Sequence, residues 1–211
     1  VIEQDSNHYL ILEYVDGGDL KDLLSKSPSG LPLDQVLQIA IQLADALTRS
    51  HFLDIIHRDI KPANVLIDQN DTPRLTDFGV AHIIGDSDLT QEGVLLGTYG
   101  YLSPEACLGK RVDARSDIWS FGVLIFELLT GQNPFTGDSI VQVITAILHD
   151  STPDLQEIRP DIPDNLNDLV YRMLEKNHDA RIPSIRLVGA EIEAMIKNID
   201  RDVGKVLDLV T

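Results

Sequence analysis

The chain has 211 residues, 43% of them hydrophobic, and carries 17 Lys and Arg against 34 Asp and Glu, a formal charge of −17 at pH 7. That length and apolar content suit one domain, or two small ones, with a buried core. The acidic surplus argues against nucleic acid or an anionic membrane as partner, because both need a basic face.

Cys107 is the single cysteine, so no intrachain disulfide can form and a reducing cytoplasm is the simplest compartment. The first twenty residues lack a basic region followed by an apolar one. The longest strongly apolar stretch, FGVLIFELL at 121–129, contains Glu127 and is too short to span a bilayer. The chain opens on Val1 in mid-pattern and is expected to be a piece of a longer protein, with any membrane anchor lying outside it.

In chain order, HYLILEYV (8–15) reads as a strand ended by the turn DGGD (16–19). From Asp34, a candidate N-cap, Val36, Leu37, Ile39, Ala40, Ile41, Leu43, Ala44 and Leu47 form a broad helical stripe that ends near His51. NVLID (64–68) and PRLTDF (73–78) are strand-like, with the turn signal QNDTP between them. Residues 80–104 have no sustained period, and a loop of that length in a compact domain is usually functional or disordered. Helical patterns then cover 113–130, closed by Gly131, and 138–149, 163–177 and 184–199, with prolines at the joints. The pattern predicts one mainly α domain with a few short β-strands toward its N-terminal side.

The chemistry gathers in IIHRDIKPANVLID (55–68), where Asp59, Lys61 and Asn64 stand between apolar runs. An aspartate held there can orient a hydroxyl and accept its proton. A lysine two residues on can neutralise a phosphoryl oxygen. Asn64 offers a neutral oxygen to a hard divalent cation, and Asp77 in TDFG offers the carboxylate such an ion needs. A base, a cation and two metal ligands suit phosphoryl transfer.

HRDIKPAN with DFG resembles the catalytic and metal-binding loops of the protein kinase family, in its serine/threonine branch. LILEYVDGGDL resembles the hinge, GTYGYLSPE the P+1 loop and APE motif, SDIWSFG the start of the central buried helix, and DARIPS the late arginine motif. These motifs follow the family's order across nearly the whole chain. The resemblance implies a kinase-like C-terminal lobe truncated at the N-terminal lobe. Residues 1–18 would be the last small-lobe strands and the hinge, and 19–200 the large lobe, with catalytic loop 57–64 and activation segment 77–105. Residues 201–211 would be a C-terminal extension.

The resemblance also implies ATP and Mg²⁺ (or Mn²⁺) as cofactors, and a protein with Ser or Thr as substrate. Asp59 and Lys61 would be catalytic, and Asn64 and Asp77 would hold the metal. Leu12 would be the gatekeeper, and the backbone of Glu13 and Val15 would bond the adenine. Leu66 would floor the ring, and Asp19 would either contact the ribose or cap the short helix after it. His57 and Phe78 would pack together, Asp117 would brace the catalytic loop, and Glu105 would pair with Arg181. Thr98 would be the P+1 threonine. Thr90, with Ser87 second, is the candidate phosphosite, and Arg58 is its cation. A dimer or flanking domains in a longer protein are compatible with this, and the motifs lean toward bacterial members.

Two departures stand out. Ala63 occupies a position where an acid often marks preference for arginine in the substrate, which weakens that expectation here. No GxGxxG loop or VAIK lysine precedes Asp59, so the chain alone is expected to be feebly active or inactive. The alternatives are a pseudokinase-like binding or scaffolding module, and a small-molecule phosphotransferase of kinase-like fold. GTYGYLSPE and DIWSFG speak against the latter, because in the family they accompany protein substrates.

Overall fold

Asp113 opens the helix around which the rest is assembled: its carboxylate accepts the Arg115 N–H at 2.8 Å, an N-cap that satisfies one orphan donor. In the computed structural model, which describes residues 2–4, 7–9, 11–78 and 99–210, this helix is buried along nearly all of its length. A hairpin of β1 (Ile2–Gln4) and β2 (Asn7–Tyr9) comes first, then α1 (Leu20–Ser25) and α2 (Leu33–Phe52). A second hairpin, β3 (Val65–Ile67) and β4 (Pro73–Leu75), pairs Val65 with Leu75. The helices α3 (Pro104–Cys107), α4 (Ala114–Thr130), α5 (Ile140–His149), α6 (Leu155–Ile158), α7 (Asp164–Met173) and α8 (Ile185–Val210) complete it.

The α4 helix is buried on nearly every side, with Trp119, Phe121 and Phe126 among the largest enclosed side chains. A helix apolar all round belongs in the centre of a domain, and α2, α6, α7 and α8 pack on it. It ends at Gly131, whose φ of 73° is left-handed and whose N–H donates to Glu127 O at 2.7 Å. A Cβ at Gly131 would also sit 2.3 Å from the Pro28 carbonyl oxygen, so only glycine closes the helix here.

Several boundaries differ from the sequence expectation; the helix read over 163–177 ends at Met173, and the strand read over 73–78 ends at Leu75. Helix α2 begins at Leu33 with Pro32 in the cap position, so Asp34 lies in the first turn and favours the helix dipole without capping it. The strand expected over 8–15 is paired only to Tyr9; Ile11, Leu12 and Tyr14 are exposed, because no neighbouring strand among the described residues covers them. The last helix, expected to end at 199, runs to Val210, and the expected C-terminal extension continues its backbone.

Two glycines test this packing with opposite signs. A Cβ at Gly122 would stand 2.8 Å from Met173 Cβ, whereas one at Gly189 would stand 3.4 Å from Ala44 Cβ, an ordinary contact. Gly122→Ala should lower the melting temperature, because overpacking costs about 1–3 kcal/mol and outweighs the gain of about 1 kcal/mol in helix propensity. Gly189→Ala should raise it, through a gain of up to about 1 kcal/mol in stability. Thermal denaturation followed by circular dichroism reads both, and the reverse order would contradict the packing.

Candidate active site

The loop that carries the chemistry is held from below by one carboxylate. Asp117, in the first turn of α4 and 1% exposed, accepts the His57 N–H and the Arg58 N–H, each at 2.8 Å. The His51 Nε2 lies at 2.8 Å from the same group. This brace fixes Arg58 at a φ of 69°, a left-handed conformation that a non-glycine residue keeps only when its surroundings enforce it. The expected role of Asp117 is therefore realised, and His51 is a partner that sequence reasoning missed.

His57 is fully buried. Its Nε2 donates to the Thr76 carbonyl at 2.8 Å, which leaves Nδ1 to accept the Asp59 N–H at 3.3 Å. Burial lowers its pKa, against the opposing pull of that carbonyl and the nearby carboxylates. Its ring packs on Phe78 at 4.6 Å between centroids, as expected of a structural pair. His57 is thus a neutral strut between the two loops, not a proton shuttle.

Above the brace, the expected residues converge. Lys61 Nζ donates to both carboxylate oxygens of Asp59, at 2.7 and 3.0 Å. The side-chain amide of Asn64, in the short 3₁₀ turn Pro62–Asn64, donates to the Asp59 carbonyl and to its carboxylate, both at 2.8 Å. Both amide hydrogens are thereby used, so what Asn64 offers beyond Asp59 is its carbonyl oxygen. Thr76 ties the second loop to the first: its N–H and its hydroxyl both donate to the main-chain carbonyl of Asn64, at 2.9 and 3.2 Å. Asp77 follows directly, exposed and at a φ of 60°. The Asn64 side-chain carbonyl and the Asp77 carboxylate, carried by adjoining loops, are hard oxygen donors of the kind Mg²⁺ takes.

The hinge residues sit beside β3. Gly18 O accepts the Ile67 N–H at 2.9 Å, and Asp19 bridges to Leu66 in antiparallel fashion. A Cβ on Gly17 would come within 1.9 Å of the Ile67 oxygen, so this close approach requires glycine. The Asp19 carboxylate accepts the Asp22 N–H at 2.8 Å, so the capping role left open in the sequence is realised. Leu66 is half-buried next to it, where a ring floor would lie. Leu12 and Glu13 are exposed and Val15 half-buried. Among the described residues, the main-chain groups of Glu13 and Val15 pair with no other backbone. Thr90, Thr98 and Ser87 lie outside the described residues; Arg58 is described, and exposed.

A model of the protein kinase domain matches residues 1–191. The chain belongs to the protein kinase family. It is 40% identical over 197 residues to a probable serine/threonine-protein kinase of Streptomyces coelicolor, covering 92% of this chain and 29% of that one. It is 36% identical over 201 residues to the serine/threonine-protein kinase PknB of Mycolicibacterium smegmatis, covering 94% and 32%. It is 32% identical over 216 residues to a probable serine/threonine-protein kinase PknB of Lactococcus lactis, covering 97% and 34%. The chain thus spans about a third of the length of these relatives.

Within the kinase domain, two features escaped sequence reasoning. Lys176 donates to the Ala146 and Ile147 carbonyls at 3.1 and 2.6 Å, closing the end of α5, and lies 4.7 Å over the Phe135 ring. A cavity of about 670 Å³ opens beside Lys61 and is walled by Tyr101 and Glu127. Its one sequence signal is Glu127 itself, an acid inside an otherwise apolar run, noted only as a break in hydrophobicity. No described helix is long and apolar enough to cross a membrane.

The expected Glu105–Arg181 pair is present and buried, with two bonds at 2.8 and 2.9 Å, and Ser116 adds a third to the same carboxylate at 2.7 Å. Burial pushes the Glu105 pKa up, but the bonds from Arg181 and Ser116 overcome it and bring the group from 4.5 to about 2. A depressed folded value stabilises the protein above the unfolded value and is lost as pH falls, so the contribution declines between pH 4.5 and 2. The difference corresponds to about 3 kcal/mol. Glu105→Gln, which strands Arg181, should cost about 3–5 kcal/mol at neutral pH and remove this acid-dependent loss. Urea unfolding at pH 7 and across the acid range checks both; an unchanged acid profile in the variant would contradict the assignment.

Proposed function

We propose that this chain is the catalytic lobe of a serine/threonine protein kinase, which transfers the γ-phosphoryl group of ATP to Ser or Thr hydroxyls of a protein. The observation that carries the reading is the Asp59–Lys61–Asn64 cluster, held on a loop braced by Asp117 and joined through Thr76 to Asp77. The names of the relatives support the choice of Ser and Thr.

Asp59 orients the substrate hydroxyl and takes its proton as the oxygen bonds to phosphorus, while the bond from phosphorus to the ADP oxygen breaks. Lys61 sits against Asp59 and can shift its ammonium toward the phosphoryl oxygens, so it neutralises charge where transfer occurs. Asn64 and Asp77 would hold Mg²⁺, which when bound neutralises and orients the ATP phosphates. Asp19, Leu66 and the main chain of Glu13 and Val15 would receive the nucleoside. Thr90, with Ser87 second, is the proposed phosphosite, Arg58 its cation, and Thr98 the proposed P+1 threonine. The cytoplasm is the proposed compartment.

A binding or scaffolding role is the alternative reading, and these 211 residues include no GxGxxG loop or VAIK lysine ahead of the hinge. Retention of all four chemical residues favours the enzyme. The 211-residue chain alone should therefore transfer phosphate feebly.

With the full-length protein, labelled ATP and Ser/Thr peptides, Asp59→Asn should lower kcat by about 10²–10⁴ while its circular dichroism stays unchanged. Undiminished transfer by the folded variant would overturn the reading. Mass spectrometry of active protein should find phosphate on Thr90 or Ser87, and none there would remove the regulatory proposal.

A further inference from the structure

Between α7 and α8 one side chain faces a carboxylate at each end of its ring. His178 Nδ1 lies 3.0 Å from Asp179 Oδ1, and its Nε2 lies 3.1 Å from Asp113 Oδ1. A neutral imidazole has one N–H and one lone pair, so it donates to one carboxylate and turns its lone pair on the other. Only the imidazolium donates to both.

The groups around the ring favour that charged form. Asp113 is the N-cap of α4, and the oxygen that faces His178 also accepts the Arg115 N–H at 2.8 Å. Arg115, from the same turn, donates to the His178 carbonyl at 2.7 Å and lies 3.8 Å from Asp179 Oδ1. Two carboxylates and one guanidinium therefore surround the ring, and a second positive charge balances them. The other charges nearby do not supply it. Lys176 is turned to the Ala146 and Ile147 carbonyls, and Arg181 is held by Glu105 of α3. Lys110 and Arg111 line the same cavity as His178 but are exposed, where an ammonium or guanidinium is a weak partner. The bonds to Asp179 and then Asp113 raise the His178 pKa above its ordinary 6.5, against a smaller effect of burial.

We propose that His178 is a pH-sensitive clasp, which when protonated ties the loop bearing Arg181 to the capping residue of α4, and when deprotonated keeps only one of its two carboxylates. The clasp grips the turn of α4 that also carries Asp117, so it bears on the frame beneath the catalytic loop whatever that loop transfers. A folded value above the unfolded one gives stability that is complete below pH 6.5 and is lost as pH rises through the folded value.

The test uses full-length protein labelled with ¹³C at histidine Cε1, the His178 signal being the one absent from His178→Gln. Its titration midpoint should lie above 6.5 and should move down in Asp113→Asn, which keeps a capping oxygen but removes the charge. A midpoint at or below 6.5, or one unmoved in Asp113→Asn, would overturn the proposal. Hydrogen exchange of peptides covering the start of α4, read by mass spectrometry, gives an independent check. At about pH 6, His178→Gln should exchange about two- to fivefold faster there than the unaltered protein, the scale of an exposed ion pair. At about pH 9, where both side chains are neutral donors, the two rates should converge. A ratio that is the same at both pH values would assign His178 a pH-independent packing role and sink the clasp.

Discussion

The buried carboxylate of Asp117 is the constraint on which the site depends. Its two oxygens hold consecutive main-chain N–H groups of a loop whose geometry is otherwise unfavourable, with Arg58 in the left-handed region. Backbone strain persists only when surrounding structure over-determines it. Here the surroundings are the most enclosed helix of the domain, so a stiff core directly underwrites the placement of Asp59 two residues from the brace. His51 adds a third contact from α2, which links two helices and the catalytic loop through one group.

The same logic joins the two loops of the site. Thr76 donates twice to the Asn64 carbonyl, and His57 donates back to the Thr76 carbonyl. Residues twelve and nineteen positions apart in sequence are thereby fixed within a hydrogen bond of one another. Phosphoryl transfer asks little covalent chemistry of a protein and much positioning. Asp59 is held by the buried Asn64 amide and the Lys61 ammonium, and the loop beneath it by the buried Asp117, which answers that requirement.

Charge is also handled differently on the two sides of the central helix. Glu105 is met by a guanidinium within the chain, and the result is a closed, stabilising unit. Glu127, near the other end of the same helix, is met by a phenol and faces a cavity. One acid is paired with a cation inside the fold, and the other with a phenol at a cavity wall.

Much of this was legible in the sequence because catalytic chemistry demands particular side chains at short range. HRDIKPAN and DFG place a base, a cation and metal ligands within local segments, and the structure keeps Asp59, Lys61 and Asn64 together. Glycine after an apolar helical run likewise marked the end of α4, since a left-handed closure there excludes other residues. The family resemblance, carried by those same motifs, supplied the Asp117 brace, the Glu105–Arg181 pair and the His57–Phe78 contact.

Other features had no local signal. Whether 8–15 would be a paired strand depended on a neighbour, not on its own side chains, and pairing stops at Tyr9. Asp34 has the chemistry of a cap but sits two residues past the cap position, held by Pro32. The His51 contact joins residues 66 positions apart, and the cavity wall joins Tyr101 to Glu127 across 26. Sequence by itself determined which reactive groups are present and which stretches are helical, because both follow from side-chain type and short-range period. Only tertiary structure decided which buried charge is answered within the chain and which opens onto a cavity, because that depends on how α4 packs against everything around it.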